Sequence, residues 1–253
     1  MISAIVVSHG HRAELAESLP ALAPQVDDVV VIANVPGSAP APEDAHGARV
    51  LENDRPLSYA ANLNLGIAET TGELVLVNNP DAVPEPGAIA ALAGFVAAHP
   101  RAGIAGPQLR DPDGSWQPSR RRFPTVAGTL VRRTPLRRVF PPLERQRAHY
   151  NLDERPSEPV EADWMLGGSL LLRREMLDEL GGYDPGFRMY GEEIDLAYRA
   201  ARAGWERWYV PAAVVRHRWD ALTDERFLTR RTMWHWRSVL RFVRKHPERL
   251  LAR

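Results

Sequence analysis

The stretch ELVLVNNPD, Glu73 to Asp81, decides how the chain is read. Glu73 to Val77 is a short apolar run without polar alternation, the pattern of a strand buried on both faces. Asn78, Asn79, Pro80 and Asp81 end it with turn formers. Pro86 to Ala98 then predicts a helix with proline in its first turn. Toward the N-terminus, Tyr59 to Glu69 predicts a helix, Arg49 to Glu52 a short strand and Asp28 to Ala33 (DVVVIA) another strand. Ala13 to Leu22 predicts a helix and Ile2 to Ser8 a strand. Apolar strands alternating with helices predict an α/β fold with a mostly parallel sheet covered on both faces. Ligands of such sheets sit beyond the carboxyl ends of the strands, where Asn78 to Asp81 falls.

Toward the C-terminus the pattern changes. Residues 107–162 are rich in Pro and Arg, with Arg110 to Gly114 reading as a turn and little periodicity after it. Regular structure resumes at Trp164 to Leu172, followed by a helix over Arg173 to Leu180 and a Gly181-Gly182 stop. A helix over Glu192 to Ala203 and a strand over Arg207 to Val210 come next. Asp224 to Lys245 reads as a long amphipathic helix carrying Phe227, Trp234, Trp236, Leu240 and Phe242. These shifts divide the chain into a half at 1–106, a second at 107–220 and a basic C-terminal helix at 221–253.

With 253 residues, 44% of them apolar, the chain buries roughly 70–75% of its unfolded surface and needs no disulfide or structural metal for support. It has no cysteine, which excludes disulfide scaffolds, thiolate zinc sites and a cysteine nucleophile. Lys+Arg and Asp+Glu are equal at 32 each, so global charge does not point to nucleic acid. No apolar run approaches the roughly 18 residues of a spanning helix, and the first residues lack the charged region of a signal peptide. A soluble cytoplasmic protein is expected. The charge is uneven, however: Arg120 to Arg147 holds nine Arg against Glu144 alone, and Arg216 to the end holds ten Arg and Lys245 against four acids. Solvated surface faces explain such stretches, as does docking on an anionic ligand or membrane surface.

Three clusters could carry chemistry. Asp81, after the strand ending at Val77, offers a hard oxygen ligand for Mg²⁺ or Mn²⁺; taken alone, Asn-Pro-Asp is more often an ordinary turn. Glu192, Glu193 and Asp195 open a helix, where acids complement the macrodipole and Asp195 can pair with Arg199. Alternatively, one of them is a general base whose pKa a neighbouring acid raises. His217, after the apolar run Val210 to Val215, is a structural histidine or, beside a carboxylate, a metal ligand. His9 and His11 are loop residues near the ligand. The chain lacks G-x-G-x-x-G, a Walker lysine motif and G-x-S-x-G, so dinucleotide, P-loop and serine-hydrolase readings lose their support.

The order of the segments is more specific than any one of them. AIVVSHGHR at 4–12, NLNLGIAETTGELVLVNNPDAVPEPGAI at 62–89 and DGSWQPSRRRFPT at 113–125 are followed by ADWMLGGSLLLRREMLDELGGYDPGFRMYGEEIDLAYRAARAGW at 162–205 and YVPAAVVRH at 209–217. Together they resemble the inverting glycosyltransferases of family 2, in particular the bacterial rhamnosyltransferase-like branch that builds cell-envelope polysaccharides and glycolipids. The resemblance implies a GT-A fold, in which a Rossmann-like nucleotide-sugar-binding half joins an acceptor-binding half. It implies that Asp81, with His217, holds a divalent cation, Mg²⁺ or Mn²⁺, against the donor's diphosphate. Glu193 matches the catalytic base, and Asp163, Trp164, Gly167, Glu192 and Asp195 fall in or beside the acceptor site. Ser8, Asn34, Asn64 and Asn79 fall beside the donor. Two departures stand out: Ala33-Asn34 replaces the family's Val-Asp-Asn, whose Asp contacts the nucleoside, and Glu193 replaces the more usual Asp.

The expected activity is inverting transfer of a sugar, L-rhamnose from dTDP-L-rhamnose in first place, to a hydroxyl of a glycan or lipid-linked acceptor. UDP-galactofuranose, UDP-glucose and UDP-galactose would leave a similar pattern, because pocket shape sets donor choice. The Arg-rich segments suggest peripheral contact with the inner face of the plasma membrane, while the C-terminal helix would equally serve packing or an oligomer. A catalytically silent nucleotide-sugar-binding scaffold is the alternative from another class, supported by Ala33-Asn34 and opposed by the retention of Asp81, Glu193 and His217. Nucleic-acid binding is not expected.

Overall fold

The computed structural model describes residues 1–124, 154–218 and 230–250. Most of the Arg-rich stretch at 120–147 and the segment from Asp224 to Thr229, including Phe227, lie outside the described residues.

The parallel core is built as the periodicity predicts. Strands β1 (Ile2–Ser8), β2 (Asp28–Ala33), β3 (Arg49–Glu52) and β4 (Leu74–Asn78) lie in the order β3-β2-β1-β4, all parallel. Side chains of β1 alternate between two core layers, because successive residues of a strand point to opposite faces. Ile5 and Val7 pack with Val30, Ile32 and helix α2 (Tyr59–Ala68) on one face. Ala4 and Val6 pack with helices α1 (Arg12–Leu22) and α3 (Ala88–Ala98) on the other. Burial of each such Ile, Leu or Val contributes about 1.5–3 kcal/mol.

Beyond the short strand β5 (Ala82–Pro84), the sheet continues through strands whose limits differ from the expectation. β6 runs over Ala102–Arg110, across Gly103, Gly106 and Pro107. The two glycines leave room for side chains of the neighbouring layer: a Cβ at Gly103 would meet Met176 Sδ at 2.6 Å, and one at Gly106 would meet Met165 Sδ at 2.6 Å. Two short strands follow, β7 (Trp116–Gln117) and β8 (Arg120–Arg121). β9 (Val160–Glu161) precedes the run expected at Trp164 to Leu172, which is two strands, β10 (Trp164–Met165) and β11 (Ser169–Arg173). Gly167 and Gly168 lie at the break between them.

Helix α4 (Arg174–Leu180) ends at Gly181 with φ +70, and α5 (Glu192–Arg202) leads to β12 (Glu206–His217), far longer than Arg207 to Val210. A register shift between Val210 and Val214 lets β12 remain parallel to β6 and still reach His217. Among the described residues the main sheet has ten strands, in the order β3-β2-β1-β4-β11-β6-β12-β5, with β7 beside β6 and β9 beside β12; β8 and β10 form a separate ribbon. One sheet therefore draws strands from both halves of the chain. Helix α6 (Arg230–Lys245) closes the described structure. No helix among the described residues is long and apolar enough to cross a membrane.

Candidate active site

The site gathers where β4 ends. Asn79 N–H donates to Gly168 carbonyl at 2.8 Å, so the chain after β4 and the glycine pair before β11 are tied edge to edge. Asp81 follows on one side, and β12 brings His217 across from the other. His217 Nε2 lies 3.6 Å from Asp81 Oδ1.

The protonation of His217 follows from its neighbours. Gln117 Nε2 donates to Asp111 Oδ1 at 3.1 Å, so its other atom, Oε1, accepts the proton of His217 Nδ1 at 3.0 Å. Nε2 therefore carries a lone pair, toward which Asn79 Nδ2 donates at 3.3 Å while Tyr59 Oη donates to Asn79 Oδ1 at 3.0 Å. Burial lowers the His217 pKa and outweighs the opposing charges of Asp81 and Asp111, keeping the ring neutral at pH 7. A neutral imidazole with its second nitrogen anchored, facing a carboxylate oxygen, is a donor set that fits a divalent cation. Among the described residues no group of three His, Cys, Asp or Glu gathers at metal-holding distance. Asp81 and His217 would thus be the protein's share of the shell, leaving positions for water and phosphate oxygens.

The acidic pair lies against the same glycines. A Cβ at Gly167 would collide with Glu193 Oε1, and one at Gly168 would meet the His217 ring at 3.1 Å. Gly167 lies outside the left-handed region, so the absence of a side chain, and not backbone freedom, is what this position requires. Burial raises the pKa of Glu193. Glu192, 2% exposed, is raised well above the ordinary glutamate value of 4.5 by burial and then by the charge of Glu193. Burial and that same charge keep the Tyr59 and Tyr183 hydroxyls protonated.

Two outcomes follow. The uncharged Glu192 is favoured in the folded state, so its stabilising effect is complete below pH 4.5 and is lost as pH rises through the raised value. Glu192→Gln, which cannot ionise, is expected to raise the thermal midpoint at pH 8 by about 2–4 °C, the equivalent of roughly 1 kcal/mol, with the gain vanishing toward pH 4; a midpoint equal to wild type at pH 8 contradicts it. Gly167→Ala is expected to leave the midpoint nearly unchanged and to slow any reaction that uses Glu193 by about 100-fold, because the new methyl takes the carboxylate's place. Steady-state rates of the folded variant decide this.

Other expected site residues do different work. Asn34 is fully buried and its amide is saturated: Nδ2 donates to Leu57 carbonyl at 3.1 Å and faces His9 Nε2 at 2.8 Å, while Oδ1 accepts from Leu57 N–H and Asn53 Nδ2, both at 2.8 Å. It braces the ends of β2 and β3 and has no donor or acceptor left for a ligand. Asn64 holds the N–H and the carbonyl of Tyr183 at 2.8 and 2.7 Å, which leaves one amide hydrogen and one acceptor site of its side chain uncommitted. Asp195 points away from Glu193 into a buried cluster with Arg199, Lys245 and His246 at 2.8–2.9 Å. Each of the three side chains is held by partners within the chain itself. Ser8, also buried, accepts from His11 N–H at 3.1 Å and shapes the turn after β1. Asp163 accepts from Phe123 N–H at 2.7 Å, and Trp164 donates to Arg122 carbonyl at 2.8 Å, which sets the β8–β10 ribbon beside Gly167. Sequence reasoning missed Gln117 and Tyr59. A glutamine beside the Gly114 turn and a tyrosine at a helix start carry no distinctive spacing.

The family model described as Glycosyl transferase family 2 matches residues 3–194. Over 189 residues the chain is 35% identical to the N-acetylglucosaminyl-diphospho-decaprenol L-rhamnosyltransferase of Mycobacterium tuberculosis, covering 67% of this chain and 58% of that protein. The chain thus spans less than two thirds of that relative's length. It is 37% identical over 82 residues to Rhamnosyltransferase WbbL of Escherichia coli K12, covering 32% of this chain and 30% of that one. Among solved structures, GalNAc-T7 with UDP, GalNAc and Mn²⁺ superposes with a TM-score of 0.67 at 16% identity, over 96% of this chain and 48% of that chain. The mannosyltransferase PcManGT from Pyrobaculum calidifontis, in complex with GDP-Man and Mn²⁺, gives 0.60 at 17% identity, over 98% of this chain and 64% of that chain. At those identities the likeness is one of fold.

Proposed function

Since the chain belongs to glycosyl transferase family 2 and has the GT-A fold, we propose that it transfers a sugar, with inversion, from a nucleoside diphosphate donor to a hydroxyl of a glycan or lipid-linked acceptor. L-Rhamnose from dTDP-L-rhamnose is the donor in this reading, supported by the two rhamnosyltransferases among the relatives. A glycan carried on a lipid diphosphate is the acceptor class, by analogy with the decaprenol-linked substrate named for the mycobacterial protein. The observation that carries the proposal is the placement of a carboxylate with a raised pKa and an Asp81–His217 pair against two consecutive glycines.

The chemistry needs both. The acceptor oxygen attacks the anomeric carbon from the side opposite the diphosphate, and the carbon–oxygen bond to the diphosphate breaks. Glu193 accepts the acceptor's hydroxyl proton as the new bond forms. Its Oε1 lies close against the Gly167 backbone, where no side chain separates it from the space beyond. Asp81 and His217 would hold the cation, Mg²⁺ or Mn²⁺, which supplies charge neutralisation to the departing diphosphate. Asn79 links the two parts, because its amide spans Tyr59 and His217.

A thermal-shift series tests the donor and the metal together. dTDP-rhamnose with Mn²⁺ or Mg²⁺ is expected to raise the midpoint by about 5–10 °C at a hundredfold excess over Kd, and chelator to abolish the rise. A shift with UDP sugars alone would replace rhamnose as the donor. No shift with any nucleotide would overturn the transferase reading and favour a protein that has lost its donor.

A further inference from the structure

Helix α6 has two unlike faces. One is spent on the body of the protein: Ser238 Oγ donates to Met189 carbonyl at 3.0 Å, Arg241 and Lys245 pair with Asp184 at 2.7 and 2.8 Å, and Phe242 is buried against Tyr198. The opposite face carries Met233, 59% exposed, and Leu240, 53% exposed, two of four large apolar side chains so exposed among the described residues. Arg237 and Arg244 alternate with them, both exposed, and neither forms a hydrogen bond or ion pair with another described residue. At 100° per residue these four and the half-buried Trp236 fall within about 100° of the helix circumference.

From this arrangement we propose that the outward face of α6 lies on an anionic lipid surface. Met233 and Leu240 would enter the boundary between headgroups and acyl chains while Arg237 and Arg244 meet the phosphates, and Trp236 flanks them at the level its ring prefers. A second copy of the chain fits this face poorly. No acid occurs from Arg230 to His246, so pairing it with itself would set arginine against arginine. The placement also gives the contact a direction. The buried face of α6 holds Met189, three residues before the acidic pair at the head of α5, so the lipid surface would lie on the side where Glu193 receives its acceptor. The docking itself does not depend on the transferase reading.

Vesicle flotation of the full chain, without nucleotide, sugar or metal, tests it. The protein is expected to float with vesicles of phosphatidylcholine mixed with phosphatidylglycerol, to remain behind with phosphatidylcholine alone, and to be released by salt. Arg237→Gln with Arg244→Gln should weaken partition about 30-fold at low salt, roughly fivefold per arginine. Met233→Ser with Leu240→Ser should weaken it by about tenfold or more. Both pairs lie outside the buried contacts of α6, so wild-type thermal midpoints are expected and exclude misfolding as the cause. The proposal is overturned if the wild-type chain does not float, if neutral and anionic vesicles bind equally, or if both variants float like wild type. Sedimentation showing a dimer that Met233→Ser with Leu240→Ser dissolves would overturn it in favour of a second copy.

Discussion

Replacing Glu193 with glutamine is expected to slow sugar transfer by about 10²–10⁴-fold while leaving the thermal midpoint and the donor KM close to wild type. Glutamine keeps the length and planarity that fit against Gly167 but cannot take the acceptor's proton. Asp81 and His217, which face the donor side, are untouched, so the loss belongs in kcat. The pH dependence gives a second readout. Glu193 must be ionised to act as base, and burial raises its pKa, so the wild-type rate falls as pH drops through a value above the ordinary 4.5. The variant's residual rate should lack that acidic limb. Initial rates between pH 4.5 and 9 decide the matter, and a variant within tenfold of wild type would remove Glu193 from the role of base.

Asp195→Ala is expected to have the largest effect on stability, about 3 kcal/mol, seen as a fall of about 6–12 °C in thermal midpoint. Its carboxylate is fully buried and accepts from Arg199 at 2.8 Å, Lys245 at 2.9 Å and His246 at 2.8 Å. Removing it leaves three donors around an empty site, one of them on α5 and two at the end of α6. Lys245 and Arg199 retain some access to water, which places the estimate at the lower end for a broken buried pair. Lys245→Gln should cost less, since Arg199 and His246 still satisfy the carboxylate. Urea titration with both variants checks the order; an Asp195→Ala midpoint equal to wild type would show that α6 is not fastened through this residue.

The parallel half of the fold is legible because its strands are short, apolar and separated by amphipathic helices. β1, β2 and β3 begin and end where the pattern places them. β6 and the far end of β12 are not legible: Gly103, Gly106 and Pro107 interrupt the apolar run of β6, where the space above the two glycines is taken by Met176 and Met165, and Pro211 interrupts β12. In the site, Asn79, Asp81, Glu193 and His217 converge as their positions at strand and helix ends suggest. Asp195 does not, for a reason the helix itself contains: residues two apart on a helix lie on nearly opposite sides, so Glu193 and Asp195 cannot serve one pocket. The structural bonds of Asn34 and Asn64 are not legible, because their partners, Leu57 and Tyr183, engage through backbone groups without a sequence signature.

The saturated amide of Asn34 has a consequence for how this chain tolerates change. Because it clamps the exit of β2 to Asn53 and Leu57 beyond β3, residues 35–48 leave and re-enter the sheet through a fixed gateway. Within that span Gly37 N–H is held by Glu52 and Ala45 is buried, so lengthening it at the exposed Pro42–Asp44 turn is expected to cost mainly loop closure, about 0.6 kcal/mol for each doubling. Variation in length is thereby confined to the exposed part of that span, away from the strand that leads to Asp81.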